Sequence, residues 1–571
     1  MEKLRVLLWG GFIMSLYLVY SQWTADYAVV KKTPTNNTVS ATMPRSAQPL
    51  QGSPPSTNTL LFSDSKPELY SLEQNETNKS AQAPTNLVTL SNDVLEIKIN
   101  PDRGADIVNA VLLGYFLSKD DTENRVQLLS LSEDSYRYFQ TGLLSTENNN
   151  NPEPNHQQPF LYIRTSGAND GSKSAIFRWE SSSIAVNKTY TLTPGSFEVK
   201  LAYEIINKGY SVYPYVQYSQ IIKKDAKVER SMIDVETYSF DGGIIFNGES
   251  YEKLHPEDLV EKPVMTSHLN GWLANIKHHF VVAAIPEAEE SFSYQATYDE
   301  GKSLEKISAV GETTKTVFPG TTQKEEMSFY IGPKLQSKLK ELRPGLERSV
   351  DYGALSFLSK PLFWLLDKIH SFVGNWGLSI ILVTFCIKLV FYRLAESSGK
   401  SMARMRLLAP RIKAIQERFK DDKQAAGQAT MELYKKEKVN PLAGCWPMLV
   451  QIPFFIAFYW VLLESVEIRQ APFFLWIQDL SSRDPYFILP LLMGAGMFFQ
   501  QKLNPPPPDP MQAKIMNFLP VMFTGMFAFF PSGLVLYWLT NSLLSIAQQW
   551  RLNKKFGTKT PMGSGSGGGG G

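Results

Sequence analysis

The chain contains very little cysteine, with only Cys386 and Cys445 in 571 residues. Both lie in or beside apolar runs, so neither a disulfide scaffold nor a cysteine zinc site is expected. Net charge is also nearly absent. Lys and Arg total 57 against 55 Asp and Glu, a formal +2, which argues against a generalised nucleic-acid binder. No G-x-x-x-x-G-K-[ST] occurs, so no phosphate-cradling loop for ATP is present. No pair of carboxylates stands out as an acid/base set. His278 and His279 adjoin in "NIKHHFVVAAIP", beside a strand-like run, where packing outweighs metal binding. No catalytic residue, metal ligand or cofactor is expected, and the chain reads as a non-enzyme.

The average composition, 20% charged with a mean hydropathy of −0.18, looks soluble but hides a division. Residues from about 31 to 350 are mostly polar or strand-like, whereas residues 376–550 hold long apolar runs. Residues 6–23, "VLLWGGFIMSLYLVYSQW", follow Lys3 and Arg5. They fit a cleaved signal peptide or a signal anchor. No A-x-A site follows, so a retained anchor is expected, with residues 1–5 in the cytoplasm. Five more spans are expected at 376–392, 445–463, 486–499, 515–530 and 534–548. The fourth and fifth of the six are short, which suits a locally thinned bilayer.

Charge sets the orientation. Residues 393–440 hold 12 Lys/Arg against 6 Asp/Glu, and the tail after Ala547 holds 4 against none. Residues 500–514 and residues 1–5 each hold 2 against 1. Together these segments carry +12, so the rest of a chain of net +2 carries −10. This positive-inside pattern puts both termini in the cytoplasm, and with them the loop 500–514 and the basic tail 549–562. Residues 24–350 and the loop 464–485 then lie outside. The final "GSGSGGGGG", 563–571, looks like an added linker.

Residues 24–89 are rich in Pro, Ser, Thr, Asn and Gln and read as a flexible tether. From 90 to 350 the period becomes two. In "SIAVNKTYTLTPGSFEVKLAYEII", Val186, Lys188, Tyr190 and Leu192 alternate up to Pro194-Gly195, and Phe197, Val199, Leu201, Tyr203 and Ile205 return. Many such strands predict a large β-sandwich. Between sandwich and second span, Leu358, Leu362, Leu365, Leu366 and Ile369 recur at helical spacing. They predict an amphipathic helix over 355–372, in the outer membrane interface or packed on the sandwich. Residues 393–440 predict a basic helical hairpin. Met402, Met405, Leu408, Ile412, Ile415 and Phe419 form one stripe, and Ala426, Ala429 and Leu433 a weaker one, with Asp422 as the cap between them. Anionic lipid or a docked partner suits its basic surface.

The second span raises a question. In "IILVTFCIKLVFY", residues 380–392, Lys388 is the one cation. It lies five residues before Arg393, ~7.5 Å along a helix, so its stem could snorkel to water. No Asp or Glu lies within the other apolar runs to pair with it, and Glu464 and Glu467 sit at the opposite end of the third span. Water in a cavity between helices is the remaining stabiliser. Thr384 lies one turn before Lys388. Gln451 interrupts the third span beside Pro453, and Tyr537, Asn541, Ser545 and Gln548 follow at steps of four, four and three on the sixth. Hydrogen bonding inside a dry bundle is the competing explanation. A cationic groove open to the cytoplasm would attract the acidic or polar tail of a nascent membrane protein and lower its desolvation cost. Two other classes suit parts of the chain. A transporter fits a polar groove, but no internal repeat or paired acids appear. A mutarotase-like or carbohydrate-binding module on a mere anchor fits the sandwich, but no acid/base pair can be picked and an anchor needs no six spans.

"HSFVGNWGLSIILVTFCIK", "KVNPLAGCWPMLVQIPFF", "EIRQAPFFLWIQDLS", "DPYFILPLLMG", "FPSGLVLYW", "NGWLANIKHHFVVAAIP" and "FYIGPK" resemble the YidC/Alb family of membrane protein insertases over essentially the whole chain. The resemblance implies a polytopic α-helical membrane protein of the bacterial inner membrane, with six transmembrane helices plus a large periplasmic all-β domain. That domain would be a β-supersandwich similar in fold to sugar mutarotases. The resemblance also implies a five-helix core whose hydrophilic groove is closed to the periplasm. Its implied partners are nascent membrane proteins, handled alone or with the Sec translocon. The ribosome and the signal recognition particle receptor are candidates at the hairpin and tail. The family's groove cation falls on Lys388, and its groove and substrate-contact positions fall on Thr384, Gln451, Ile452, Pro453, Tyr537 and Trp538. Three departures stand out. Lys388 replaces the arginine usual in Gram-negative relatives, Arg393 stands where a proline is common, and Trp538 replaces the second tyrosine of a pair.

Overall fold

A computed structural model describes residues 86–119, 121–132, 135–146, 153–224, 239–420, 422–437, 446–503 and 510–556. The anchor 6–23, nearly all of the tether 24–89 and the chain beyond 556 lie outside the described residues. The sandwich begins at strand Val88–Ser91, two residues inside the expected tether.

The period-two segments form two antiparallel sheets, of ten and nine strands among the described residues. The expected hairpin pairs Ile184–Leu192 with Glu198–Asn207, in a register that sets Val186 opposite Ile205 and Tyr190 opposite Leu201. Gly195 closes the turn at φ +68°, a left-handed conformation that glycine adopts without a Cβ penalty. The inward set Val186, Tyr190, Leu192, Val199, Leu201, Tyr203 and Ile205 is buried. It packs against Leu95, Ile97 and Phe139 of the other sheet in one core. The Phe139 and Phe329 rings meet across that core at 4.5 Å.

Lys188 shares the inward face and is fully buried. Its ammonium donates to the Gly104 carbonyl at 2.6 Å and pairs with Asp106 at 3.1 Å. The rings of Phe160, Tyr190 and Tyr203 surround it at 5.5–5.7 Å. Such a charge is tolerated inside a core only when paired and hydrogen-bonded.

"FVVAAI", Phe280–Ile285, breaks the alternation because both its faces are covered. Val282 and Ala284 face the sandwich core. Val281, Ala283 and Ile285, with Trp272, Ala274 and Ile276, face a second core shared with the helices. A strand buried on both sides has no reason to alternate.

The helices among the described residues are α1 (Pro256–Glu261), α2 (Gln336–Leu342), α3 (Ser356–Val373), α4 (Trp376–Val390), α5 (Tyr392–Arg418), α6 (Lys423–Lys436), α7 (Trp446–Glu464), α8 (Ile488–Lys502), α9 (Pro510–Phe527) and α10 (Ser532–Phe556). The leucine stripe of α3 packs on the bundle: Leu362 and Leu366 are buried, and Ser359 Oγ donates to the Ala457 carbonyl of α7 at 3.0 Å. The opposite side exposes Phe357, Trp364 and Phe372. Gly374, at φ +65°, ends the helix by donating to the His370 carbonyl, a left-handed cap. Asn375 then caps α4, accepting from the Leu378 amide at 2.9 Å.

α4 and α5 meet at Phe391 with a 60° bend, although Arg393 rather than proline follows it. Asp422 caps α6 as expected, accepting from Gln424 and Ala425, and Leu408 and Ile412 of α5 pack with Leu433 and Tyr434 of α6. α8 starts two residues later than the expected fourth span. The Asp484 carboxylate accepts from the amides of Tyr486 and Leu489 and organises a turn at Phe487, φ +56°. α10 runs on to Phe556, through the first half of the expected tail. Among the described residues no single helix is long and apolar enough to cross a membrane. The bent pair Trp376–Val390 and Tyr392–Ser401 passes that test together.

Candidate functional site

Two polar clusters occupy opposite ends of α7. At the end nearer the β domain, Glu464 and Lys334 form an ion pair of 3.0 Å with side chains 4% and 1% exposed. Ser239 Oγ donates to the second oxygen of Glu464 at 3.0 Å. The His278 ring nitrogen lies 3.0 Å from the Leu463 carbonyl. Arg469 donates to the carbonyls of Phe116 and Leu117 and lies over the Phe280 ring. His279 stacks on His278 at 3.7 Å. Burial, followed by the charges of His278, Lys334 and Arg469, holds it well below the usual imidazole range, hence neutral. Glu467 is pushed up to about 7, first by burial and then by Asp367. These contacts dock the β domain onto the bundle. The sequence offered no signal for Lys334–Glu464, whose partners lie 130 residues apart.

At the other end lies Lys388, on the last turn of α4, where the helix dipole favours a cation. Its ammonium donates to Ser545 Oγ of α10 at 2.8 Å and to Gln451 Oε1 of α7 at 3.4 Å. Gln451 Nε2 donates to Asn541 Oδ1 at 3.1 Å, and Ser545 Oγ donates to the Asn541 carbonyl at 2.7 Å. Among the described residues no carboxylate lies within ion-pair reach of this lysine. Three helices thus converge on a half-buried cation held by neutral acceptors. Gln451 and Glu464 are 13 positions apart on α7, so the two clusters are separated by roughly 20 Å of helix.

The other expected site residues lie apart from the lysine's contacts. Thr384 is buried and turns its hydroxyl to the Ile380 carbonyl of its own helix, 2.6 Å away. Ile452 and Pro453 are exposed on α7. Tyr537 is buried between Phe455 and Phe458, at 5.8 and 5.1 Å. Trp538 sits among Phe455, Phe523 and Phe527, at 4.7, 6.4 and 5.5 Å. Its indole N–H is buried without an acceptor among the described residues. An aromatic cluster therefore adjoins the polar one along α10. Phe455, Phe523 and Phe527 were missed from sequence because an aromatic inside an apolar run carries no polar signal.

The structure defines the class as a large all-β domain docked on a helical bundle in which one bent helix pair is long and apolar enough to cross a membrane. A family profile described as "60Kd inner membrane protein" matches residues 368–559, and one described as "YidC periplasmic domain" matches residues 87–365. The membrane protein insertase YidC of Thioalkalivibrio sulfidiphilus is 40% identical over 575 residues, covering 97% of this chain and 98% of that one. Its counterpart in Pseudomonas fluorescens is 40% identical over 580 residues, covering 98% and 99%. A crystal structure of an active YidC insertase with its first transmembrane domain resolved aligns with 81% of this chain and 91% of that chain, at 18% identity and a TM-score of 0.37. The chain belongs to the YidC family.

Proposed function

We propose that this protein is a membrane protein insertase and not an enzyme. It moves nascent membrane proteins into the bacterial inner membrane through a hydrophilic, cationic groove open to cytoplasm and lipid. It acts alone or with the Sec translocon. Six helices span the bilayer, with the residue 6–23 anchor as the first, and both termini face the cytoplasm. The β domain lies in the periplasm, and the aromatic side of α3 lies in the outer interface. The α5/α6 hairpin and the tail meet anionic lipid, the ribosome or the signal recognition particle receptor.

One observation carries the reading: among the described residues, Lys388 is held by Ser545 and Gln451 and by no carboxylate. A buried cation normally recruits a carboxylate. One left with neutral acceptors keeps its attraction for a passing acidic segment. Gln451, Ile452, Pro453, Trp538, Asn541 and Ser545 line the path, with the buried Thr384 and Tyr537 supporting it from within the bundle; polar atoms replace part of the segment's hydration and aromatic faces receive its apolar part. Hydrophobic partitioning of the client supplies the driving force, helped by the membrane potential.

Depletion and complementation in cells tests this with a single-span reporter. Lys388→Arg should support insertion, while Lys388→Ala and Lys388→Glu should impair it. Full activity of the glutamate variant removes the electrostatic role.

A further inference from the structure

We infer that Asn541 is a positioning residue for Lys388, acting through Gln451. The inference rests on the groove reading above and adds what sets the groove's polarity. An ammonium has three donors and no acceptor. The Gln451 atom that faces it must therefore be the amide oxygen, and Gln451 Oε1 lies 3.4 Å from Lys388 Nζ. That leaves the Gln451 NH2 pointing the other way, where only an acceptor satisfies it. Asn541 presents Oδ1 there at 3.1 Å. Were Gln451 to flip, its NH2 would face the ammonium, donor against donor, and its oxygen would face the Asn541 oxygen. The same residue fixes the other contact. The Asn541 main-chain carbonyl takes the Ser545 hydroxyl proton at 2.7 Å. The Ser545 lone pairs are thereby left for Lys388, 2.8 Å away. Both acceptors of the lysine thus take their orientation from residue 541. Asn541 makes no hydrogen bond to the lysine itself among the described residues.

Side-chain substitution removes the Oδ1 acceptor and spares the main-chain carbonyl, so the amide of Gln451 is the part that can be tested. Asn541→Leu removes that oxygen at nearly unchanged side-chain size. It is introduced into the full chain, alone and together with Gln451→Leu, and membrane abundance is measured alongside. Two single-span reporters are compared, with translocated tails that differ only in carrying an acidic or a neutral residue. Asn541→Leu is expected to lower acidic-tail insertion roughly tenfold more than neutral-tail insertion, the ratio of one charge-assisted hydrogen bond. In the Gln451→Leu background Asn541→Leu adds no further change in that ratio, because the pair acts as a unit. Equal loss for both reporters overturns the inference, and so does an additive double variant, since those mark helix packing. Failure of the unsubstituted chain to insert either reporter refutes instead the proposed function.

Discussion

The two ends of α7 hold two lysines in opposite ways. Near the β domain, Lys334 is sealed from solvent and neutralised by Glu464. At the far end, Lys388 is half-buried and bound by an amide oxygen and a hydroxyl. A paired, fully desolvated charge is a structural fastening, since removing either partner strands the other. A charge held by neutral dipoles is stabilised where it sits yet still acts on whatever enters its field. The first arrangement locates the β domain, and the second leaves a polar site available for work.

The comparison can be broken most forcefully at Lys334. Lys334→Met leaves Glu464 buried and unpaired, at a cost of about 3–5 kcal/mol, seen as loss of thermal stability in detergent. Pairing it with Glu464→Leu should restore most of the loss. Equal destabilisation by the single and double variants would remove the fastening. Lys388→Met, by contrast, should leave thermal stability nearly unchanged while reducing insertion, because among the described residues it strands no counter-charge.

A further difference lies in pH response. The Glu467 carboxyl ionises near 4.5 when unfolded and near 7 when folded. Between those values the folded state holds the extra proton, so its contribution to stability is present at low pH and is lost as pH rises through that window. Melting temperature should fall from pH 5 to pH 8, and Glu467→Gln should flatten that dependence. The smallest effect is expected at Asp422, whose replacement by Ala removes the α6 cap, worth about 1 kcal/mol. It would register as faster hydrogen exchange confined to the α5/α6 hairpin.

Much of this was readable from residue order. The hairpin through Pro194-Gly195 shows its register in the alternation alone, and the steps of four from Asn541 to Ser545 put two polar groups on one face of α10. Asp422 announces its cap by type and position. Other features depend on distant parts of the chain. The double-sided burial of Phe280–Ile285 and the Lys334–Glu464 contact require the docked geometry, which no local pattern encodes. Thr384 shares the face of Lys388 but satisfies its hydroxyl within α4, because a buried threonine can always reach the carbonyl four residues back. Tyr537 falls on the same spacing as Asn541, and its ring instead fills the space between Phe455 and Phe458. Spacing identifies a face of a helix, while side-chain size decides which neighbour is reached. The bend at Phe391 shows the same limit, since it forms without the proline that would have announced it.

The central claim is that the surroundings of Lys388 are reached by water from the cytoplasmic side. It is tested most directly by aqueous thiol labelling. Cys386 and Cys445 are replaced by serine, and a single cysteine is placed at Ser545, the lysine's nearest acceptor. Inverted membrane vesicles are then treated with a membrane-impermeant maleimide. Rapid modification, as fast as at an exposed position in the α5/α6 hairpin, is the expected result. A thiol that stays unmodified until the protein is denatured would mean a dry, filled bundle and would contradict the account.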